Sequence, residues 1–282
     1  MTETATASAD PREVLATYHR RREQAVTAPK GNLALVNTQW ITGDPEAPAQ
    51  TVWGVPGLWS PLPAGQSGLK LTATADDGIT VDGELVDGDV VVRGKDDPNP
   101  GDIVFSDTVT GFVIASEEGE YALRVWDANS EDIQAFGSID VFDYNPDWVI
   151  QASFTPIDGG MTVGFEHLKD DGKTRDMVIP GEIRFEKDGV GYNLAAFKAG
   201  RALQLVFSDA TNGDSTYSVG RFLFLAPHPD GTVTLDFNLA VLPPCAFSYN
   251  FNCPLPPKQN RFSVKIEAGE KNVLTKSGEL LH

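Results

Sequence analysis

Leu203-Gln204-Leu205-Val206-Phe207, Arg221-Phe222-Leu223-Phe224-Leu225 and Thr232-Val233-Thr234-Leu235-Asp236-Phe237-Asn238 are three short runs rich in branched and aromatic residues. Asn212-Gly213 lies in the first gap and Ala226-Pro227-His228-Pro229-Asp230-Gly231 fills the second. Apolar runs between such breaks read as antiparallel strands. A turn at Asn212-Gly213 sets Leu203 opposite Phe222. In one permitted register of the next turn, Phe224 meets Val233, Phe222 meets Leu235 and Arg221 meets Asp236. Side chains alternate across a strand. Leu203, Leu205, Phe207, Phe222, Phe224, Val233, Leu235 and Phe237 are therefore expected on one face of a three-stranded meander. Gln204, Arg221, Thr234, Asp236 and Asn238 fall on the other, with Val206 and Leu223.

The same logic extends upstream. Lys187-Asp188-Gly189-Val190 carries an Asp-Gly pair, the strongest short hairpin signal. Folding about it sets Phe185 opposite Tyr192 and Ile183 opposite Leu194. Between residues 30 and 128, short runs such as Leu69-Lys70-Leu71-Thr72, Val90-Val91-Val92 and Tyr121-Ala122-Leu123-Arg124-Val125-Trp126 alternate with Gly, Asp, Asn and Pro. One helix stands apart. Asp10-Pro11-Arg12-Glu13 reads as N-cap, proline at the first helical position and glutamate two residues on, and the helix should end before Pro29. Val14, Leu15, Tyr18 and Ala25 form its thin apolar stripe. Arg20-Arg21-Arg22 falls toward its C-terminal end, where cations favour the helix dipole, so the basic run requires no partner.

The fold class is thus mostly β: antiparallel sandwich or barrel modules with one N-terminal α-helix. The pattern breaks at Ala128-Asn129-Ser130 and again at Tyr144-Asn145-Pro146. We divide the chain into a tail and helix (1–28), a β-sandwich module (29–130) and a C-terminal antiparallel module (140–282).

With 40 acidic residues against 22 basic ones the net charge is -18, which argues against nucleic acid and anionic membrane surfaces as partners. Met1-Thr2-Glu3-Thr4 has no basic or apolar leader character, and no run reaches the roughly 18 apolar residues that a membrane helix needs. The cytoplasm is the expected compartment.

Several motifs bear on chemistry. The polar row Gln204, Arg221, Asp236 and Asn238 could present an arginine fork, held by an aspartate, to a small polar or anionic ligand. A cross-strand ion pair on a half-wet sheet face, stabilising by only ~0.2–1 kcal/mol, explains the same row without a ligand. Both cysteines lie in Pro243-Pro244-Cys245-Ala246-Phe247-Ser248-Tyr249-Asn250-Phe251-Asn252-Cys253-Pro254-Leu255-Pro256-Pro257. Its prolines exclude a helix or central strand and favour a rigid apolar loop. Cys245 and Cys253 are expected there as structural thiols packed like small apolar groups. A redox pair remains open, although the spacing is not C-x-x-C. A metal site would need further ligands, and the loop has no histidine. His167 is the one natural general-base candidate, yet no nucleophile elbow accompanies it. Asp96-Asp97-Pro98-Asn99-Pro100-Gly101-Asp102 does not fit the EF-hand spacing, and no glycine-rich phosphate loop opens a helix. No cofactor is expected.

Gly220-Arg221-Phe222-Leu223, Leu235-Asp236-Phe237-Asn238, Pro243-Pro244-Cys245-Ala246-Phe247, Cys253-Pro254-Leu255-Pro256-Pro257, Asn260-Arg261 and Ile266-Glu267-Ala268-Gly269-Glu270-Lys271 resemble an uncharacterised prokaryotic family catalogued as domain of unknown function 1684. Gly31-Asn32-Leu33-Ala34-Leu35-Val36 with Trp40, and Asp209-Ala210-Thr211 with Thr216-Tyr217, are similar to its earlier blocks. Leu239-Ala240-Val241-Leu242 departs from the more polar run expected before Pro-Pro. The resemblance implies no established activity and supplies no catalytic residues. The expected function is binding of a small polar or anionic ligand. The alternatives are an enzyme using Arg221 and Asp236, or a scaffold displaying aromatics such as Trp53 and Trp59.

Overall fold

The computed structural model describes residues 10–282 as two units, residues 24–135 and residues 10–23 with 136–282. Helix α1 (Pro11–Val26) starts as its sequence dictates. The Asp10 carboxylate accepts from Arg12 N at 2.9 Å, and the Asp10 carbonyl accepts from Glu13 N and Val14 N. Leu15 of the expected stripe is buried and Tyr18 half-buried, whereas Val14 and Ala25 are exposed.

In the unit 24–135 the strands are β1 (Leu35–Trp40), β2 (Gln50–Thr51), β3 (Leu58–Pro61), β4 (Leu69–Ala73), β5 (Thr80–Val81), β6 (Glu84–Leu85), β7 (Gly88–Val92), β8 (Ile103–Val104), β9 (Val109–Ala115) and β10 (Tyr121–Asp127). They form two open sheets, β1-β10-β9-β8-β5-β6 and β2-β3-β4-β7. Alternation places Leu69 and Leu71 of β4 with Val113, Leu123 and Val125 in one core. Trp59 lies fully buried in that core, edge-on to Phe105 at 6.4 Å. Its expected display at the surface is therefore corrected: a strand position between Leu58 and Ser60 turned the indole inward. Trp53 is exposed.

A short helix α2 (Glu131–Ala135) precedes the remaining strands: β11 (Phe136–Val141), β12 (Val149–Glu166), β13 (Thr174–Lys187), β14 (Val190–Leu194), β15 (Ala196–Ala199), β16 (Ala202–Phe207), β17 (Arg221–Leu225), β18 (Thr232–Asp236) and β19 (Glu270–Thr275). Their sheets run β14-β13-β12-β18, β15-β16-β17 and β11-β19. All five strand orders are open, so the described residues form antiparallel sheets and no closed barrel. The β13–β14 hairpin turns at Asp188 (φ 53°) and Gly189 (φ 77°), pairing Phe185 with Tyr192 and Ile183 with Leu194 as expected.

The meander is corrected in two respects. First, β18 pairs with β12, Ala152 opposite Val233 and Val149 opposite Asp236, and not with β17. Second, Leu203 faces Leu225 and Phe207 faces Arg221, an offset of three residues from the expected pairing. An odd offset exchanges the two faces of a strand. Arg221, Leu223 and Leu225 accordingly join Leu203, Leu205 and Phe207 on the core side. Phe222 turns to a second buried cluster, and Phe224 is 49% exposed. Val233, Leu235 and Phe237 are buried as expected. The physical reason lies in residues 208–220, which form a loop and not a tight turn. Gly220 admits the chain to β17 with φ 119°, and a Cβ there would stand 2.5 Å from the Phe207 carbonyl oxygen.

Candidate functional site

Arg221 is fully buried and does not meet Asp236. Its Nη2 donates to Asp209 Oδ2 at 2.7 Å and to the Ile266 carbonyl at 2.8 Å. Its Nη1 donates to the carbonyls of Ala268 and Glu270. The guanidinium also lies over the rings of Phe207 and Phe142, at 5.2 and 5.9 Å. Burial pushes the Arg221 pKa down, and the Asp209 carboxylate opposes that shift. Among the described residues Arg221 Nε has no hydrogen-bond partner, whereas Asp209 is well satisfied, since its Oδ1 accepts from Thr211 N, Thr211 Oγ1 and Ile266 N. A buried charge is tolerable only when paired and hydrogen-bonded in this way.

The rest of the expected row disperses. Asp236 Oδ1 accepts from Asn238 N at 3.0 Å and Asn238 Nδ2 at 2.8 Å, capping a short turn. Asn238 is buried and stitches that turn to Asn145 through both backbone groups of Asn145. Gln204 stands half-buried opposite Phe224. Only Asp236 and Asn238 of the four touch, and they do so as a local cap.

Sequence reasoning missed the partners of the buried charges. Glu270, also fully buried, accepts from Arg22 Nε at 2.9 Å and from Leu242 N at 2.7 Å. Asn260 accepts from Ala195 N and donates to the carbonyls of Ala195 and Val206. Asp209, Asn260 and Glu270 all stand within the sequence blocks that carry the family resemblance, but nothing in their local spacing pairs them with Arg221, Ala195 or Arg22.

The chemically competent cluster is the cysteine loop. Pro244–Ala246 forms a single 3-10 turn, and Cys245 N donates to Cys253 Sγ at 3.3 Å. Both side chains are thiols, 2% and 3% exposed, within the cluster of Phe165, Phe197, Val206, Phe222 and Val241. Tyr217 Oη donates to the Cys245 carbonyl at 3.1 Å. The hydrogen bond from Cys253 holds the Cys245 thiol below its ordinary pKa against the opposing effect of burial, and Tyr217 adds to the lowering. Burial, reinforced by Cys245, pushes the Tyr217 phenol well above its ordinary value.

Backbone bonds tie the loop to the end of β12: Leu168 N donates to the Cys253 carbonyl at 2.9 Å and Leu255 N to the Glu166 carbonyl at 2.7 Å. Beside them Asn252 Nδ2 donates to Asp170 Oδ1 at 2.7 Å, and Arg175 holds Asp170 through two nitrogens at 2.7 and 2.9 Å. These bonds, Arg175 foremost, hold the Asp170 carboxyl below its usual range. His167 Nδ1 stands 3.9 Å from Asp170 Oδ2. Among the described residues no group of three or more His, Cys, Asp or Glu side chains is placed to hold a metal ion. Nor is any helix among them long and apolar enough to cross a membrane.

A family model described as "Protein of unknown function (DUF1684)" matches residues 134–271, which include the buried charges Asp209, Arg221 and Glu270 and both cysteines. The chain is similar to an uncharacterised protein of Haloarcula marismortui solved by solution NMR. That likeness has 35% identity, covers 48% of this chain and 77% of the other, and has a TM-score of 0.40. No curated protein matches.

Proposed function

Since the chain belongs to the DUF1684 family, whose function is unknown, we propose a role read from the site itself: Cys245 and Cys253 form a dithiol that closes to an intrachain disulfide. The observation that carries this is the 3.3 Å bond from Cys245 N to Cys253 Sγ. A sulfur seated on the backbone nitrogen of the other cysteine lies within one side-chain rotation of that cysteine's own sulfur. Disulfides need this proximity, with Cα atoms roughly 4.4–6.8 Å apart. The acidified Cys245 supports the reading, because the thiolate is the form that reacts.

Ligand binding through Arg221 loses its support. Four hydrogen bonds already commit the guanidinium to Asp209 and three carbonyls, and no part of it is exposed. The same burial counts against an enzyme built on Arg221 and Asp236.

The test is thiol counting after mild oxidation of the intact chain with diamide. Two thiols per chain should fall to none. Chymotryptic cleavage between the cysteines, at Phe247 or Tyr249, should then leave the two fragments joined. Persistence of both thiols, or bonds formed only between chains, would refute the dithiol.

A further inference from the structure

A cleft of about 270 Å³ opens in the unit 24–135 where three connections meet: residues 41–45 after β1, the β3–β4 loop at 61–66 and the β9–β10 turn at 119–121. Pro61, Leu62, Pro63 and Ala64 give it an apolar wall. The walls are held in place without a ligand. Asp96 bolts the β3–β4 loop to β10, since its Oδ1 accepts from Ser67 Oγ at 2.7 Å and its Oδ2 from Tyr121 Oη at 2.8 Å. Ile41 N donates to the Tyr121 carbonyl at 3.0 Å and joins the other two segments. The prolines restrict the backbone further by fixing φ.

The other two segments supply charge. Glu120 lines the cleft, and Asp44, Glu46, Glu117 and Glu118 stand within two residues of lining positions. All five are exposed, and among the described residues none is ion-paired. The stretches 41–69 and 110–123 contain no lysine or arginine. Three cations of this unit are committed elsewhere, Lys30 to Asp102, Lys70 to Asp89 and Arg93 to Asp82. We propose that this cleft binds an aliphatic polyamine. An apolar wall calls for a hydrocarbon stem, and unpaired carboxylates call for cations. A polyamine alternates the two, with methylene chains between ammonium groups. A bare metal ion would gain nothing from the proline wall, and among the described residues no three His, Cys, Asp or Glu side chains are placed to hold one. An anion would be repelled. The site is independent of the dithiol, which belongs to the other unit.

The experiment titrates spermidine into the full chain, maps amide shifts by NMR and measures the dissociation constant by calorimetry. Shifts should concentrate at Gly43, Gly65 and Gly119, which line the cleft, and saturate at one spermidine per chain. Ala64→Trp fills the cleft without changing charge and should raise Kd at least about tenfold. Glu120→Gln should raise it about two- to fivefold, the effect of one exposed charge contact. Glu84→Gln, which removes an exposed carboxylate on β6, should leave it unchanged. Circular dichroism checks each fold, and Ala64→Phe provides a second filling variant if tryptophan disturbs the loop. Equal binding by wild type and the filled variants, or displacement of spermidine by magnesium at matched ionic strength, would reduce the effect to net charge and overturn the site. Absence of saturable shifts would overturn it as well. A tetralysine peptide that binds more tightly than spermidine and is lost in Ala64→Trp would assign the cleft to a protein partner and overturn the polyamine.

Discussion

Asp209→Ala is the perturbation that the buried charge cluster makes most informative. The substitution removes the acceptor of four hydrogen bonds: from Arg221 Nη2, Thr211 N, Thr211 Oγ1 and Ile266 N. It also leaves Arg221, wholly buried, without its counter-charge. Losing one partner of a buried pair destabilises by about 3–5 kcal/mol, because the remaining charge is desolvated and uncompensated. With a urea slope of about 2 kcal/mol per M, the midpoint should fall by about 1.5–2.5 M. Unfolding followed by circular dichroism reads the shift. Hydrogen exchange read by mass spectrometry should confine it to peptides from 136–282, since the chain has two units. The decisive control is Asp209→Leu combined with Arg221→Met. Removing both charges together should destabilise less than either single change. A loss below about 1 kcal/mol for Asp209→Ala, the value of an exposed pair, would refute the claim that this pair is buried and coupled.

The remaining predictions are shorter. Phe222→Ala should destabilise by about 3–5 kcal/mol and Phe224→Ala by far less, because the first is buried and the second half-exposed; equal losses in denaturant titrations would mean that the β16–β17 register is wrong. Gly220→Ala should lower the thermal midpoint, since its φ of 119° and the 2.5 Å approach to the Phe207 carbonyl leave no room for a methyl group; an unchanged midpoint would contradict the close approach. Asp170 has its folded pKa depressed, chiefly by Arg175, so its contribution to stability is complete above the unfolded carboxyl value and fades as pH falls through the lower folded value. Asp170→Asn should therefore flatten the acid limb of the stability curve, and a parallel acid limb would count against the Asp170–Arg175 pair.

What the sequence revealed depended on how local the constraint was. At Asp188-Gly189 two residues with positive φ make a turn whose geometry alone sets the register, and Ile183 opposite Leu194 follows. Between β16 and β17 the Asn212-Gly213 pair does bend the chain, Gly213 N reaching the Thr216 carbonyl, but within a longer loop. Asn212 there binds Tyr217, and Asp209 binds Thr211. Once a loop spans residues 208–220, its turn no longer dictates which residues face each other, and core packing decides. Arginine defaults to the surface in sequence reading, so a register that buried Arg221 stayed hidden. Nothing in the local spacing of its partner Asp209 signals the pairing, and Arg22 and Glu270 lie 248 positions apart. Periodicity carries no information over such a separation. The cysteine loop was legible as rigid and apolar from its prolines, whereas the bond from Cys245 N to Cys253 Sγ was not.

The charged cluster and the cysteine loop are mechanically one arrangement. Leu242, the residue before Pro243, donates its N–H to the Glu270 carboxylate, which Arg22 of α1 neutralises. At the far end Arg261 Nε donates to the Pro256 carbonyl at 3.0 Å, and Asn260 is held by the backbone of Ala195 and Val206. The loop is thus pinned at its start by the fully buried Glu270, and at its end by Arg261 and by the bonds of Cys253 and Leu255 to the end of β12 and the residues after it. Rigid backbone at the cysteines means that closing the disulfide is left to the side chains, because the entropy of bringing residues 245 and 253 together was already spent in folding. Substitution of Glu270 should therefore act at a distance. In Glu270→Gln the single amide oxygen can keep only one of these bonds, because the amide nitrogen cannot accept from Leu242 N or from Arg22 Nε. In Glu270→Ala the start of the loop is released, and oxidation at the cysteines should slow even though neither sulfur is touched. The rate of linkage formation between residues 245 and 253 reads this directly. Unchanged rates in a Glu270→Ala protein that remains folded by circular dichroism would show that the loop holds its shape without the charge cluster.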